Sequence, residues 1–309
     1  MISFRARVIK FLMQNRHFFQ FRLKEEDIDW SQYESVLKFR KEAAAGAKKL
    51  GKLPADIKTH SISIDGMSAE WILLDETNQD KVILYFHGGG YICGDIEGHR
   101  SLTAKFVKES GIGALLFEYR LAPENPYPAA LDDAVKAYQY LLEEGISASN
   151  IVFLGDSAGG GLCLATTLYL RDNGFELPAA VVSYSPMTDL KCTGESHLSK
   201  AKVCLSPKGC GEAFAKHYAG DYQLDLPYIS PLYGDLRGFP PTLIYVGEDE
   251  TLRDDSILFA EKAKKAGVDI TLRVGEGMFH CFPAMAPLFP EAKKAMEEIC
   301  IFIKERVRV

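Results

Sequence analysis

From residue 56 onward the chain alternates two kinds of apolar pattern. Short runs rich in Val, Ile, Leu and aromatic residues fall at 57–64, 69–74, 81–86, 112–118, 151–154, 179–184, 242–246 and 270–274. Their lengths, and the period-two character of the first two, predict strands. The unbroken apolar run in 81–86 predicts a strand buried on both faces. Between these runs, longer stretches with apolar residues every three or four positions predict helices over 100–109, 128–143, 158–171, 254–266 and 290–306. Strands alternating with helices predict an α/β fold, a mostly parallel central sheet flanked by helices.

Two regions break the alternation. Residues 1–53 are helical in pattern and end in the alanine-rich stretch 42–50. Residues 188–238 lie between two core strands and hold no strong strand, only a helical stretch near 207–218 and a turn-rich stretch at 228–238. A structureless loop that long is unusual inside a compact domain. Both regions are therefore read as a helical cap over the C-terminal edge of the sheet. The expected division is 1–53 as N-terminal cap helices, and 54–309 as the main α/β domain with a cap insertion at about 188–238.

Composition narrows the function classes. With 309 residues, 47% of them hydrophobic, the chain can fill one large core. It has no apolar run long enough for a transmembrane helix. Its net charge of -6 is spread over interspersed acids and bases, unlike the basic stripe of a nucleic-acid binder. Residues 1–21 mix Arg and Lys with aromatics but lack the apolar core and cleavage site of a secretory signal. A stretch this basic and aromatic could lie on a membrane surface, but it also fits a helix burying one face on the domain; the second reading is preferred, and no stable membrane insertion is expected. The seven cysteines (Cys93, Cys163, Cys192, Cys204, Cys210, Cys281 and Cys300) are scattered and form no C-x-x-C pair. That argues against a disulfide framework or a zinc site and for reduced thiols in a cytoplasmic protein. A homodimer stays open.

The sharpest local signal is Gly155-Asp156-Ser157-Ala158-Gly159, a G-x-S-x-G sequence between a strand pattern and a helix pattern. That context suits a nucleophile elbow, a turn so tight that the serine is strained and its neighbours must be small. Upstream, His87-Gly88-Gly89-Gly90-Tyr91 follows the strand at 81–86. Consecutive glycines let backbone N–H groups approach a substrate, and such donors stabilise an oxyanion. Gly88, Gly89 and Ala158 are the expected donors, with His87 a hydrogen-bonding residue at the loop base. The loop lacks the lysine of a phosphate-binding P-loop.

An activated serine needs a base, and the base an orienting carboxylate. In this arrangement the chain order is Ser, acid, His. After Ser157 the histidines are His197, His217 and His280. His280 follows the strand at 270–274, where a base can reach a central serine; the other two fall in the expected cap. The acid should follow the strand at 242–246, where Glu248, Asp249, Glu250, Asp254 and Asp255 crowd together. Glu250, at the loop-to-helix junction, is preferred, with Asp249 next and Asp254 read as a helix-start residue.

Together these motifs resemble the hormone-sensitive-lipase-like family of carboxylesterases. The resemblance covers most of the chain from Lys81 onward. It rests on HGGGY at 87–91, YRLAPENPYPAALDDA at 119–134, GDSAGG at 155–160, ETLRDD at 250–255 and GMFHCF around His280. It implies an α/β-hydrolase fold with a cap, a Ser157–Glu250–His280 triad, oxyanion donors Gly88, Gly89 and Ala158, and no cofactor or metal. The implied activity is hydrolysis of small-molecule esters with short to medium acyl chains. Amide, formamide and lactone substrates remain open to the same triad. A non-catalytic binding protein is disfavoured because both Ser157 and His280 are present. Two positions depart from the family: Glu250-Thr251 stands where many members have Asp-Pro, and Cys281 where they often have Gly.

Overall fold

The apolar run at 82–86 lies at the centre of the sheet. In the computed structural model, which describes residues 2–15, 28–47, 53–74, 80–206 and 209–308, it forms β3 (Val82–Phe86), buried along its whole length. Among the described residues eight strands make one sheet. Beside β3 these are β1 (Ile57–Ile64), β2 (Met67–Leu74), β4 (Gly113–Phe117), β5 (Ile151–Asp156), β6 (Ala180–Tyr184), β7 (Thr242–Gly247) and β8 (Ile270–Gly275). Their spatial order is β1-β2-β4-β3-β5-β6-β7-β8. The pairs from β4 through β8 are parallel, and β2 runs antiparallel to both its neighbours. The strands therefore confirm a mostly parallel sheet.

Period-two alternation sends Leu84 and Phe86 into one core and Ile83 and Tyr85 into the other, one on each face of the sheet. Covering these faces are helices α1 (Phe4–Gln14), α2 (Tyr33–Ala47), α3 (Ile96–Ser110), α4 (Ala129–Glu143), α5 (Ser157–Asp172), α6 (Ser196–Ser199), α7 (Cys210–Ala219), α8 (Arg253–Lys265) and α9 (Pro290–Arg306). Helix α3 starts four residues before the expected 100, because Asp95 caps it: Oδ1 accepts the Gly98 N–H at 2.6 Å. Strand β5 runs on past 154, because Gly155 and Asp156 still pair with Ser183 and Tyr184 of β6.

The two regions outside the alternation meet in part. Trp30 packs edge-on against Phe39 of α2 and Phe214 of α7, with ring centroids 5.3 Å apart in both cases. His217 on α7 adds a 2.7 Å contact from Nε2 to the Trp30 carbonyl. Such aromatic pairs each contribute about 1 kcal/mol beyond the area they bury. Helix α1 goes elsewhere. Its Ala6 sits in the core on the opposite face from Val36 of α2, and Ser3 Oγ donates to Glu291 Oε2 of α9 at 2.8 Å. The N-terminal segment thus contributes to both faces of the domain. The parts of that segment at 16–27 and 48–52 lie outside the described residues.

Candidate active site

Four loops leave the carboxyl ends of parallel strands and converge, where open α/β sheets form their ligand crevices. The loop after β3 carries His87 to Tyr91, the turn after β5 carries Ser157, the loop after β7 carries Glu250, and the loop after β8 carries His280. A cavity of about 2020 Å³ opens over them, lined by Gly89, Gly90, Ser157 and His280 on the sheet side and by Phe39 and Phe214 from α2 and α7.

Ser157 has φ of 53°, the left-handed strain expected of a residue on a sharp strand-to-helix turn. Its neighbours are small for a steric reason. A Cβ on Gly159 would stand 2.1 Å from the Phe86 carbonyl oxygen, and one on Gly155 would stand 2.6 Å from that of Gly159. The turn can form only if these positions lack side chains.

His280 Nε2 lies 3.1 Å from Ser157 Oγ, and His280 Nδ1 lies 2.6 Å from Glu250 Oε2. An ionised carboxylate only accepts, so Nδ1 carries the proton and the Nε2 lone pair faces the serine. Glu250 is fully buried, and its other oxygen accepts from Ser185 Oγ at 2.7 Å and from the Gly247 N–H at 2.5 Å. Ser185 Oγ in turn accepts the Cys281 N–H at 2.9 Å, tying the Glu250 carboxylate to the loop that carries His280. Burial works against the His280 imidazolium. The Cys281 sulfur, 3.4 Å from Nε2, and the Glu250 carboxylate outweigh it, holding the pKa well above the usual 6.5.

The rival carboxylates are committed elsewhere. Asp249 pairs with Lys10 of α1 and, at 2.9 Å, with Lys200. Glu248 Oε2 accepts the Gly277 N–H at 2.8 Å, and Asp254, near the start of α8, accepts the Ser196 N–H at 2.8 Å. Asp255 is buried against His197, 2.7 Å from Nε2 to Oδ1. His197 and His217 thus have structural partners.

The oxyanion loop departs from expectation at one residue. The Gly88 N–H donates to Asp156 Oδ1 at 3.0 Å, so it holds this loop to the turn that carries Ser157. Among the described residues the N–H groups of Gly89, Gly90 and Ala158 have no protein acceptor. Asp156 Oδ1 also accepts from Tyr85 Oη at 2.9 Å, and Tyr85 Oη meets Tyr184 Oη at 2.6 Å. Sequence reasoning passed over Asp156. Its only local signal is a carboxylate inside G-x-S-x-G, and its partner is 68 residues away. His87 is the expected hydrogen-bonding residue at the loop base: its Nδ1 lies 2.9 Å from the Gly88 carbonyl oxygen, its ring stacks on Tyr119 with centroids 4.0 Å apart, and burial first, then His99, push its pKa down to about 3.

The α/β-hydrolase-fold family matches residues 83–284. An acetyl-hydrolase of Streptomyces hygroscopicus is 38% identical over 257 residues, covering 82% of this chain and 84% of that protein. An esterase of Acinetobacter venetianus is 36% identical over 249 residues, 80% of this chain and 82% of its own. Among solved structures, an esterase/lipase from an uncultured bacterium superposes with a TM-score of 0.90 at 35% identity, over 99% of this chain and 100% of that one. An esterase from the bacterial hormone-sensitive lipase family reaches 0.89 at 36% identity over 99% of each chain. The chain belongs to the α/β-hydrolase fold family, in its hormone-sensitive-lipase-like group, and is a carboxylic ester hydrolase.

Proposed function

We propose that the protein cleaves carboxylic esters with short to medium acyl chains through an acyl-enzyme on Ser157. The observation that carries this is the unbroken contact chain from Glu250 Oε2 through His280 to Ser157 Oγ. His280 takes the serine proton as Oγ attacks the ester carbonyl carbon. The imidazolium, held by Glu250, then gives that proton to the departing alcohol. Water, deprotonated by His280, frees the acid in the second half. The oxyanion of each tetrahedral intermediate is received by the N–H groups of Gly89, Gly90 and Ala158. Gly88 gives up that role because its N–H already serves Asp156.

The acyl preference is supported by two things. The aromatic cluster of Trp30, Phe39 and Phe214 closes one side of the cavity, and we read α2 with the 188–238 insertion as the cap that does so. Relatives named for short esters also point this way: the Streptomyces acetyl-hydrolase and, at 33% identity, an ethyl acetate hydrolase of Pseudomonas putida. A p-nitrophenyl ester series from acetate to palmitate tests the reading. Highest kcat/KM is expected between acetate and hexanoate, and a rise continuing to palmitate would overturn it.

A further inference from the structure

Helix α1 is apolar on two faces. Ile2, Ala6, Ile9 and Met13 pack into the core on the α9 side of the sheet. Phe4, Val8, Phe11 and Leu12 form a second stripe, spaced i, i+4, i+7, i+8 along one side of an α-helix. This second stripe is exposed, Phe4 at 74% and Phe11 at 63%. At about 100° per residue, Arg5 and Arg7 stand about 80° to either side of its centre. Both arginines are exposed. Residues 1–24 contain Arg5, Arg7, Lys10, Arg16, Arg22 and Lys24 and no acid, within a chain of net charge -6.

An exposed apolar stripe edged by arginines fits an interface with an apolar interior and an anionic surface. A second copy of this chain fits poorly. A two-fold contact through the same stripe would set the arginine rows of both copies side by side. The expectation that this stretch buries one face on the domain accounts for the first stripe and leaves the second exposed.

We propose that α1 docks the enzyme reversibly on an anionic lipid surface, next to its substrate cavity. The helix is tied to the cavity wall: Gln14 Nε2 donates to the Val203 carbonyl at 2.9 Å. The adjoining residues Leu198, Ala201 and Leu205 line the cavity, and Leu198 is 85% exposed. Docking through Phe4 and Phe11 therefore brings the cavity's apolar rim near the bilayer, where apolar esters concentrate. An 11-residue helix cannot span a bilayer, so the association is peripheral.

The test is cosedimentation of the full chain with vesicles of phosphatidylcholine alone, and of phosphatidylcholine mixed with phosphatidylglycerol. Binding to the mixed vesicles, weakened by added salt, is expected. Phe4→Glu/Phe11→Glu should abolish it. Arg5→Gln/Arg7→Gln should weaken it about 25-fold, from about fivefold per lost charge. Both variants should hydrolyse soluble p-nitrophenyl butyrate like the wild type and keep its circular dichroism spectrum. If the phenylalanine variant fails to fold, the arginine variant still decides. Absence of binding, equal binding to neutral vesicles, or a dimer that Phe4→Glu/Phe11→Glu dissociates without changing sedimentation would overturn the proposal. Vesicle binding needs no turnover, so its outcome is independent of the triad reading.

Discussion

Asp249 accepts a hydrogen bond from Lys200 Nζ at 2.9 Å, while the next residue, Glu250, faces His280. Two adjacent carboxylates thus have opposite surroundings. Burial works against the Asp249 charge, but Lys10 and Lys200 outweigh it and hold its carboxyl below the usual range.

Glu250→Gln should keep the side-chain shape while removing the charge that supports the imidazolium. A loss of about 10⁴ in kcat is expected, as for other amidated triad acids. Asp249→Asn leaves the triad in place and should cost less than tenfold in kcat. Steady-state kinetics of the two folded variants decide between them: a dead Asp249→Asn beside an active Glu250→Gln would reverse the assignment.

The choice between these neighbours shows where sequence reasoning stops. The elbow was legible because everything it needs is local: a strand, a small-residue turn and a helix start lie within about twenty residues. Alternating runs likewise located the strands to within two residues; those at the centre of the sheet, β3 to β7, are buried on both faces and leave a plain apolar mark. The acid is different. What separates Asp249 from Glu250 is Lys10, 239 residues away, and Lys200, 49 residues away. That the Gly88 N–H is already engaged was hidden for the same kind of reason, its partner Asp156 being distant in the chain. Helix α1 carried two apolar stripes in its sequence, yet only the fold shows which one is covered.

The raised pKa of His280 has a kinetic consequence. The base must be neutral to accept the serine proton, so kcat/KM should rise as pH passes upward through the His280 value. The acidic limb should therefore lie on the alkaline side of about 6.5. The sign for stability is the reverse. A raised folded-state value means the pair stabilises fully below the unfolded value, and this contribution falls as pH rises through the folded one. A pH–rate profile checks the first statement; a limb centred near 5 would contradict it.

Cys281 holds φ of 55° and places its sulfur 3.4 Å from His280 Nε2. Glycine adopts that backbone freely, so Cys281→Gly should fold. Removing the sulfur takes away one support of the imidazolium, and the acidic limb should move to lower pH. An unchanged limb would show that Glu250 alone sets it.

Asp156→Ala should damage catalysis without touching the triad. It leaves the buried Gly88 N–H and Tyr85 hydroxyl without their acceptor, at a cost of about 1–3 kcal/mol for each unsatisfied group. The loop carrying Gly89 and Gly90 loses its tether to the nucleophile turn. A fall in kcat with KM nearly unchanged is expected, together with a lower thermal midpoint by calorimetry. Wild-type kcat in a destabilised protein would limit Asp156 to a folding role.

The central claim is the nucleophile, and covalent trapping addresses it most directly. Diethyl p-nitrophenyl phosphate should release one p-nitrophenolate per chain and leave a diethylphosphoryl group on Ser157 Oγ, located by peptide mass spectrometry. Ser157→Ala should carry no adduct and should lose about a million-fold in kcat on p-nitrophenyl butyrate. An adduct on another residue that abolishes activity, or a Ser157→Ala protein within tenfold of wild type, would contradict the account.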